Sequence, residues 1–366
     1  MSTGKERGEA DEASNASSSS LCYENMGFMF ASAEPTHKSS FCFYPTTGNE
    51  RCCCERKGND SMAHINDHVV PNGDYSGSKH SDTVVRVHIT AVDGDPGALQ
   101  SGHYIWPAAP ALARHLVNAC SGMNQLAGAS KETCGCMEKF CHWCGPCHLA
   151  RFLKRLPVDR PLRVVELGAG CGLAGLVAMQ TLSARHDLSC FAFTDHDPGA
   201  LCLSEENYNS TLQEVMKSST GAPTVARNIS SIPTAFKPLK WGDQNGVLGL
   251  KRELLRHCPN AVFDLVLGSD LIYCHDIVRP LLCTALDLMS TVPALDIDDT
   301  GKGRRSPESP FFLMSQSFPY EQDTEQEIDS VCNELGLRRN VIFDGLGQDE
   351  GVKIQIFTLD NNNGFL

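Results

Sequence analysis

The stretch Val164-Val165-Glu166-Leu167-Gly168-Ala169-Gly170-Cys171-Gly172-Leu173 constrains the fold of this chain more than any other. A short apolar run ends in glycines at alternate positions, Gly168, Gly170 and Gly172, and apolar residues resume directly afterwards. A continuous apolar run of this length suits a strand buried on both faces. Glycines at its end let the backbone turn sharply and come close to a ligand. The helix that follows presents free N–H groups at the same place. Asp195 closes the next apolar run, Cys190–Thr194, where a carboxylate can accept hydrogen bonds from ribose hydroxyls. Gly170-Cys171-Gly172-Leu173-Ala174-Gly175 also matches the dinucleotide pattern G-x-G-x-x-G. That match starts late relative to the strand end, whereas Gly168 follows the strand directly, which favours a nucleoside site without a pyrophosphate.

Around this motif the chain alternates strand and helix signals. Arg163–Leu167 predicts the first strand, with a helix from about Gly172, then a strand at Cys190–Thr194 and a helix through Leu201–Asn209. Ala235–Lys240, Phe263–Gly268 and Phe311–Ser315 read as further strands. Between the last two, Val278, Leu281, Leu282, Ala285, Leu286 and Met289 fall on one helical face. A second stripe, Ile328, Val331, Cys332 and Leu335, stops at Gly336. Arg339–Phe343 and Lys353–Leu359 follow as two strands with no helix between them. The expected fold is α/β, a doubly wound, mostly parallel, seven-stranded Rossmann-like sheet with one antiparallel strand.

The domain is expected to span 83–366, opened by a half-buried strand around Val85, Val87 and Ile89 and by a helix after Trp106-Pro107. Residues 1–82, rich in Ser, Gly, Asn and charge, are expected to be a poorly ordered arm, with the apolar patch around Phe28–Phe30 and Phe41–Tyr44 able to dock. A Cys-rich insertion is expected at about 121–159 and a surface loop at about 291–310. The insertion holds Cys134, Cys136, Cys141, His142, Cys144, Cys147 and His148. Its Cys-x-x-Cys spacings suit zinc, but they overlap where a zinc site needs two separated pairs, so no metal is assigned.

Composition narrows the class. A net charge of -13 over 366 residues argues against nucleic acid as a partner and favours a small cofactor and a basic protein segment. The polar N-terminus lacks the apolar run of a secretory signal, and no stretch is apolar enough to span a bilayer. Eighteen cysteines without a dense, even framework suit a reducing compartment, so a cytoplasmic chain is expected, with the nucleus as the alternative.

Three further motifs complete an ordered set: Ile105-Trp106-Pro107-Ala108-Ala109, Leu239-Lys240-Trp241-Gly242-Asp243 and Leu267-Gly268-Ser269-Asp270-Leu271-Ile272-Tyr273. With the glycine loop and Thr194-Asp195, the set resembles the seven-β-strand, S-adenosylmethionine-dependent protein-lysine methyltransferases that carry an Asp-x-x-Tyr motif. The resemblance covers about 84–360. It implies S-adenosylmethionine as cofactor, lined by Trp106 and Trp241, with Gly168, Ala169 and Gly170 under its methionine part. Glu166 belongs to the same loop, Asp195 matches the ribose acid, and Ser269 falls where the family has a small residue. Asp270 and Tyr273 match the pair beside the transferring methyl and are the candidate catalytic residues. The implied partner is a protein presenting a lysine, and a monomer is the expected state.

The residue types suit that chemistry. In-line transfer from a sulfonium mainly requires that nucleophile and methyl be held in alignment. A carboxylate such as Asp270 can hold an amine and take its proton, and an aromatic wall such as Tyr273 tolerates a cationic amine. Each residue also has a plainer role: Trp106 and Trp241 as core aromatics, Glu166 bonded to loop amides, Tyr273 bonded to backbone. The same scaffold can serve a histidine or small-molecule N-methyltransferase, or a silent cofactor-binding interaction module. A dehydrogenase would leave both tryptophan motifs and Asp270-x-x-Tyr273 without a use. After the Phe311–Ser315 run, Ser315-Gln316-Ser317-Phe318-Pro319-Tyr320 stands where many family members carry a basic residue. This departure bears on the substrate more than on the cofactor.

Overall fold

The structure, a computed structural model, describes residues 36–43, 85–92, 102–128, 145–158, 160–217, 229–255, 262–290, 310–347 and 351–359. Its centre is a sheet of seven strands: β3 (Leu162–Leu167), β4 (Leu188–Asp195), β5 (Thr234–Pro238), β6 (Leu265–Ser269), β7 (Phe311–Gln316), β8 (Leu337–Asp344) and β9 (Lys353–Leu359). They lie in the order β5-β4-β3-β6-β7-β9-β8. The pairs from β5 to β7 are parallel, and β9 runs antiparallel to both β7 and β8. One reversed strand in an otherwise parallel sheet is the expected arrangement. The chain winds outward from β3 to β5, then returns to β6 on the other side of β3. Ligands of open α/β sheets bind where the winding reverses, outside the strands' C-terminal ends.

Strands buried on both faces need helices on each side. One face packs against α1 (Ala108–Gly128), α2 (Gly145–Leu153) and α3 (Leu173–Ser183), with α4 (Pro198–Lys217) along its margin. The other face packs against α5 (Gln244–Leu254), α6 (Val278–Met289) and α7 (Gln322–Leu335). Every residue of α3 is buried, because α1 and β2 (Val85–Val92) cover the side turned away from the sheet. Its sequence, apolar nearly all round, suits that enclosure. Gly336, with φ 65, stops α7 and receives no side-chain clash.

β1 (Thr36–Phe43) and β2 form a separate antiparallel pair. Val87, Ile89 and Ala91 point into the core, so the alternation in the sequence is that of a half-buried strand. On the outer edge of β2, side chains replace a third strand. The amide of Thr90 bonds to Asn207 Oδ1 at 2.7 Å, that of His88 to Thr211 Oγ1 at 3.1 Å, and Gln180 donates to the carbonyl of Arg86 at 3.0 Å. Such an edge cannot pair with another chain.

Several elements differ from the sequence expectation. Within 1–82, residues 36–43 form a strand, because β2 offers them an exposed edge and a shared core at Phe43. The expected insertion at about 121–159 is helical at both ends, where α1 continues to Gly128 and α2 begins at Gly145. Cys134, Cys136, Cys141, His142 and Cys144 lie outside the described residues. Helix α5 had no clear periodic signal, since only Val247, Leu250 and Lys251 of its residues are buried. Cys171, Cys190 and Cys332 are buried, whereas Cys202 is exposed and Cys274 and Cys283 are intermediate. No helix among the described residues is long and apolar enough to cross a membrane.

Candidate active site

The glycine loop follows β3 without a break. Gly168, Gly170 and Gly172 take φ of 57, 53 and 83, values that cost a side-chain-bearing residue about 1–2 kcal/mol each. Space forbids side chains as well. A Cβ on Gly170 would lie 2.8 Å from the carbonyl oxygen of Gly102, and one on Gly168 would lie 2.6 Å from Leu271 and 3.2 Å from the Trp241 indole. The amide of Ala169 bonds to the carbonyl of Thr194 at 2.9 Å, tying the loop to the end of β4. The amide of Gly170 donates to Asp195 Oδ2 at 3.0 Å. Asp195 Oδ1 accepts from the amide of Asp197 at 3.0 Å and faces His196 Nδ1 at 3.1 Å. The bond to Asp195 pushes the His196 imidazole above its ordinary value.

A strap formed by residues 102–107 crosses this loop. Gly102 presses on Gly170 and Asp195, while Cys171 Sγ lies 3.8 Å from the carbonyl of Tyr104. One end of the strap is held by the β2 amide of Val92, which donates to the carbonyl of His103 at 3.0 Å. Asn207 ties that strand to the loop, because its Nδ2 donates both to Thr90 O (3.0 Å) and to Cys171 O (2.9 Å). Trp106 stands half-buried at the other end, just before α1.

Asp270 fastens that other end. It follows β6 with φ 52, the one positive φ outside glycine among the described residues. Asp tolerates this region better than most residues do. Its amide donates to Ser315 O at 2.9 Å. Its carboxylate accepts from the Ala108 amide (3.0 Å), the Ser317 amide (2.6 Å) and the Ser317 hydroxyl (2.9 Å). Ala108 is the first residue of α1, so a carboxylate 162 positions away caps that helix. Burial pushes the Asp270 carboxyl up, and the bonds from Ser317 and Ala108 oppose the shift. Ser315, fully buried, donates to Ala108 O at 3.1 Å.

Trp241 lies in the turn after β5, held there by Gly242. The Gly242 amide donates to Thr284 Oγ1 of α6 at 2.7 Å, with φ 86 at that glycine. Ser269, half-buried, ends β6 opposite Ser315, and Tyr273 is half-buried three positions after Asp270. Glu166 sits deeper. Its Oε1 accepts from the Gly175 amide at 3.1 Å, and Oε2 is buried without a hydrogen-bond partner. Burial pushes its carboxyl up to about 8. A Cβ on Gly175 would fall 2.2 Å from that Oε2, so this glycine makes room for the acid under the loop.

Gly168, Ala169, Gly170 and Asp195 therefore meet at the ends of β3 and β4, with Trp241 against Gly168 and Trp106 on the strap. Asp270, Ser269 and Tyr273 lie at the end of β6, the neighbour of β3. Gly102, Asn207 and Thr284 join these residues without a sequence signal of their own. The donor set fits S-adenosylmethionine: a side-chain-free cradle at Gly168 and Gly170, a carboxylate at the position for a ribose, and an indole wall.

The sequence model of a family described as "Lysine methyltransferase" matches residues 91–318, more than half of the chain. No curated protein matches it. Among solved structures, the rRNA methyltransferase aviRa from Streptomyces viridochromogenes is 15% identical, with a TM-score of 0.35, covering 58% of this chain and 82% of that one. The METTL16 MTase domain is 10% identical with a TM-score of 0.35, covering 69% and 81%. The DszA carbon methyltransferase is 14% identical with a TM-score of 0.33, covering 69% and 67%. With the glycine cradle, the acid at the end of β4 and the Asp270–Tyr273 loop in place, the matched span identifies this chain as a member of the lysine methyltransferase family, S-adenosylmethionine-dependent methyltransferases.

Proposed function

We propose that the chain methylates the side-chain nitrogen of a lysine in a protein substrate. The observation that carries this reading is the placement of the Asp270–Tyr273 loop beside a glycine cradle walled by Trp241. S-adenosylmethionine supplies a methyl carbon bonded to a sulfonium, so transfer to an amine breaks that bond, leaves its electron pair on sulfur and frees one amine proton. Asp195, Gly168, Gly170, Trp106 and Trp241 hold the cofactor by shape and by hydrogen bonds to the ribose. Ser269 keeps the space beside the methyl small.

Asp270 holds the acceptor side in register. A carboxylate offers about four lone-pair directions, and three are taken by Ala108 and Ser317. The remaining direction is the one through which it meets the amine and its proton. Tyr273 supplies an aromatic wall, which favours a cationic side chain.

Calorimetric titration with S-adenosylhomocysteine, with NAD as control, tests the cofactor class. Transfer of labelled methyl from S-adenosylmethionine to proteins of a cell extract, with the site placed by mass spectrometry, tests the acceptor. Label on lysine supports the reading. Label on histidine or on small molecules alone overturns the acceptor, and absence of homocysteine-analogue binding by a folded sample overturns the enzyme.

A further inference from the structure

The segment Ser315–Tyr320 contributes two inner links, Tyr320 and Gln316, to a buried chain of hydrogen bonds. Arg339 Nε on β8 donates to Gln355 Oε1 on β9 at 2.6 Å. Gln355 Nε2 donates to the Tyr320 hydroxyl at 3.1 Å. That hydroxyl donates to Gln316 Oε1 at 3.1 Å, and Gln316 Nε2 donates to the carbonyl of Ile272 at 3.3 Å. Gln316 and Gln355 are both 0% exposed. Arg339 is itself clamped by Glu325 at 2.7 Å and Asp329 at 3.1 Å, and Lys353 bonds Glu325 at 2.9 Å while lying 5.7 Å from the centre of the Tyr320 ring.

The direction of this chain is not free. Arg339 can only donate, so the oxygen of Gln355 must face it and its NH₂ must face Tyr320. The hydroxyl, having accepted one hydrogen, turns its own toward Gln316, whose NH₂ is then left for Ile272. Each link sets the next, and a low-dielectric interior strengthens such a series. It ends on the carbonyl of Ile272, which shares one planar peptide unit with the nitrogen of Tyr273. Fixing that oxygen fixes the plane from which Tyr273 departs.

We propose that Gln316, Tyr320 and Gln355 are positioning residues that orient the Asp270–Tyr273 loop toward the acceptor, using a guanidinium on β8 as the fixed origin. The series passes from that cation through three neutral side chains to the loop. The proposal rests on the methyltransferase reading for its activity arm only.

Two variants test it in the full chain. Tyr320→Phe keeps the ring and removes both links. Gln355→Glu keeps the shape and the bond to Arg339 but cannot donate to Tyr320. Each is expected to lower kcat about tenfold with S-adenosylhomocysteine affinity within about twofold. Hydrogen exchange in the peptide covering 270–276 should rise in both, a readout independent of catalysis. The double variant should lose little more than either alone, since one broken link already severs the series. Unchanged exchange at 270–276 in the folded variants overturns the proposal, whatever the activity. So does a fall in homocysteine-analogue affinity equal to the fall in kcat, which makes the residues supports of the whole domain. Failure of the wild-type chain to bind the analogue fails the methyltransferase reading and leaves the exchange result to judge this one.

Discussion

On the β5-β4-β3 side of the sheet the site is shaped by backbone, and on the β6-β7-β9-β8 side it is shaped by side chains. The glycine loop takes its form from three positive φ values and from the absence of Cβ atoms, and its partners are backbone groups, the Asp195 carboxylate and the Asn207 amide. The Asp270–Tyr273 loop is held by a carboxylate on Ala108 and Ser317, and by an amide on Ile272, across spans of 44 to 162 positions. A backbone-shaped site depends on what stands at each position of one short segment. A site held by side chains depends on every element that contributes one. The first favours a fixed ligand, and the second can be retuned for a different acceptor without disturbing it.

Removal of Asp270 should break the comparison most sharply. Asp270→Ala leaves two amides and a hydroxyl without their acceptor, and methyl transfer is expected to fall at least about a hundredfold. Titration with S-adenosylhomocysteine should show affinity changed by less than about threefold; a parallel collapse of affinity would merge the two halves into one. Gly170→Ala attacks the other half. Positive φ and the Gly102 carbonyl at 2.8 Å together should cost about 2 kcal/mol and lower analogue affinity about tenfold, read by thermal unfolding and calorimetry. Wild-type affinity in that variant would refute backbone control of the cradle.

Thr284→Val is a gentler probe of the Trp241 wall. It removes the acceptor for Gly242, at about 1 kcal/mol, and analogue affinity should drop about fivefold with kcat nearly constant at saturation. Glu166 is probed through the pH dependence of stability and not through affinity. Its folded carboxyl sits at about 8 against an ordinary 4.5, so between those values the folded state binds a proton the unfolded state has lost. That contribution is present at low pH and is lost as pH rises through about 8. Glu166→Gln should flatten the fall of melting temperature across this window, and an unaltered slope would show that Glu166 ionises in the folded chain as it does outside it.

The same contrast explains what could be read from the sequence. Val164–Leu173 encodes strand, turn and helix start within ten positions, and Asp195 is announced by the end of the next apolar run. Asp270 is legible in the sequence as a candidate site residue, but its bond to the first amide of α1 is not, since nothing near it names Ala108. Gly102 has no periodic or motif context, and its contact with Gly170 exists only once the strap is folded over the loop. Residues 36–43 read as part of a polar arm, and they become a strand because β2 provides hydrogen bonds that no local propensity could forecast. Nothing in the sequence joins Gln316 to Tyr320 or Tyr320 to Gln355, which come from a turn and from the last described strand.

The place of β9 has a consequence for the order in which the chain can fold. Residues 353–359 are the last described strand, yet they lie between β7 and β8. Until they insert, β8 has no neighbour and β7 presents an open edge. As the chain emerges during synthesis, the half around the glycine loop can close early, while the half around Asp270 must wait for β9. Gln355 arrives with that strand, so a nascent or C-terminally clipped chain would own the glycine loop but lack the link between Arg339 and Tyr320.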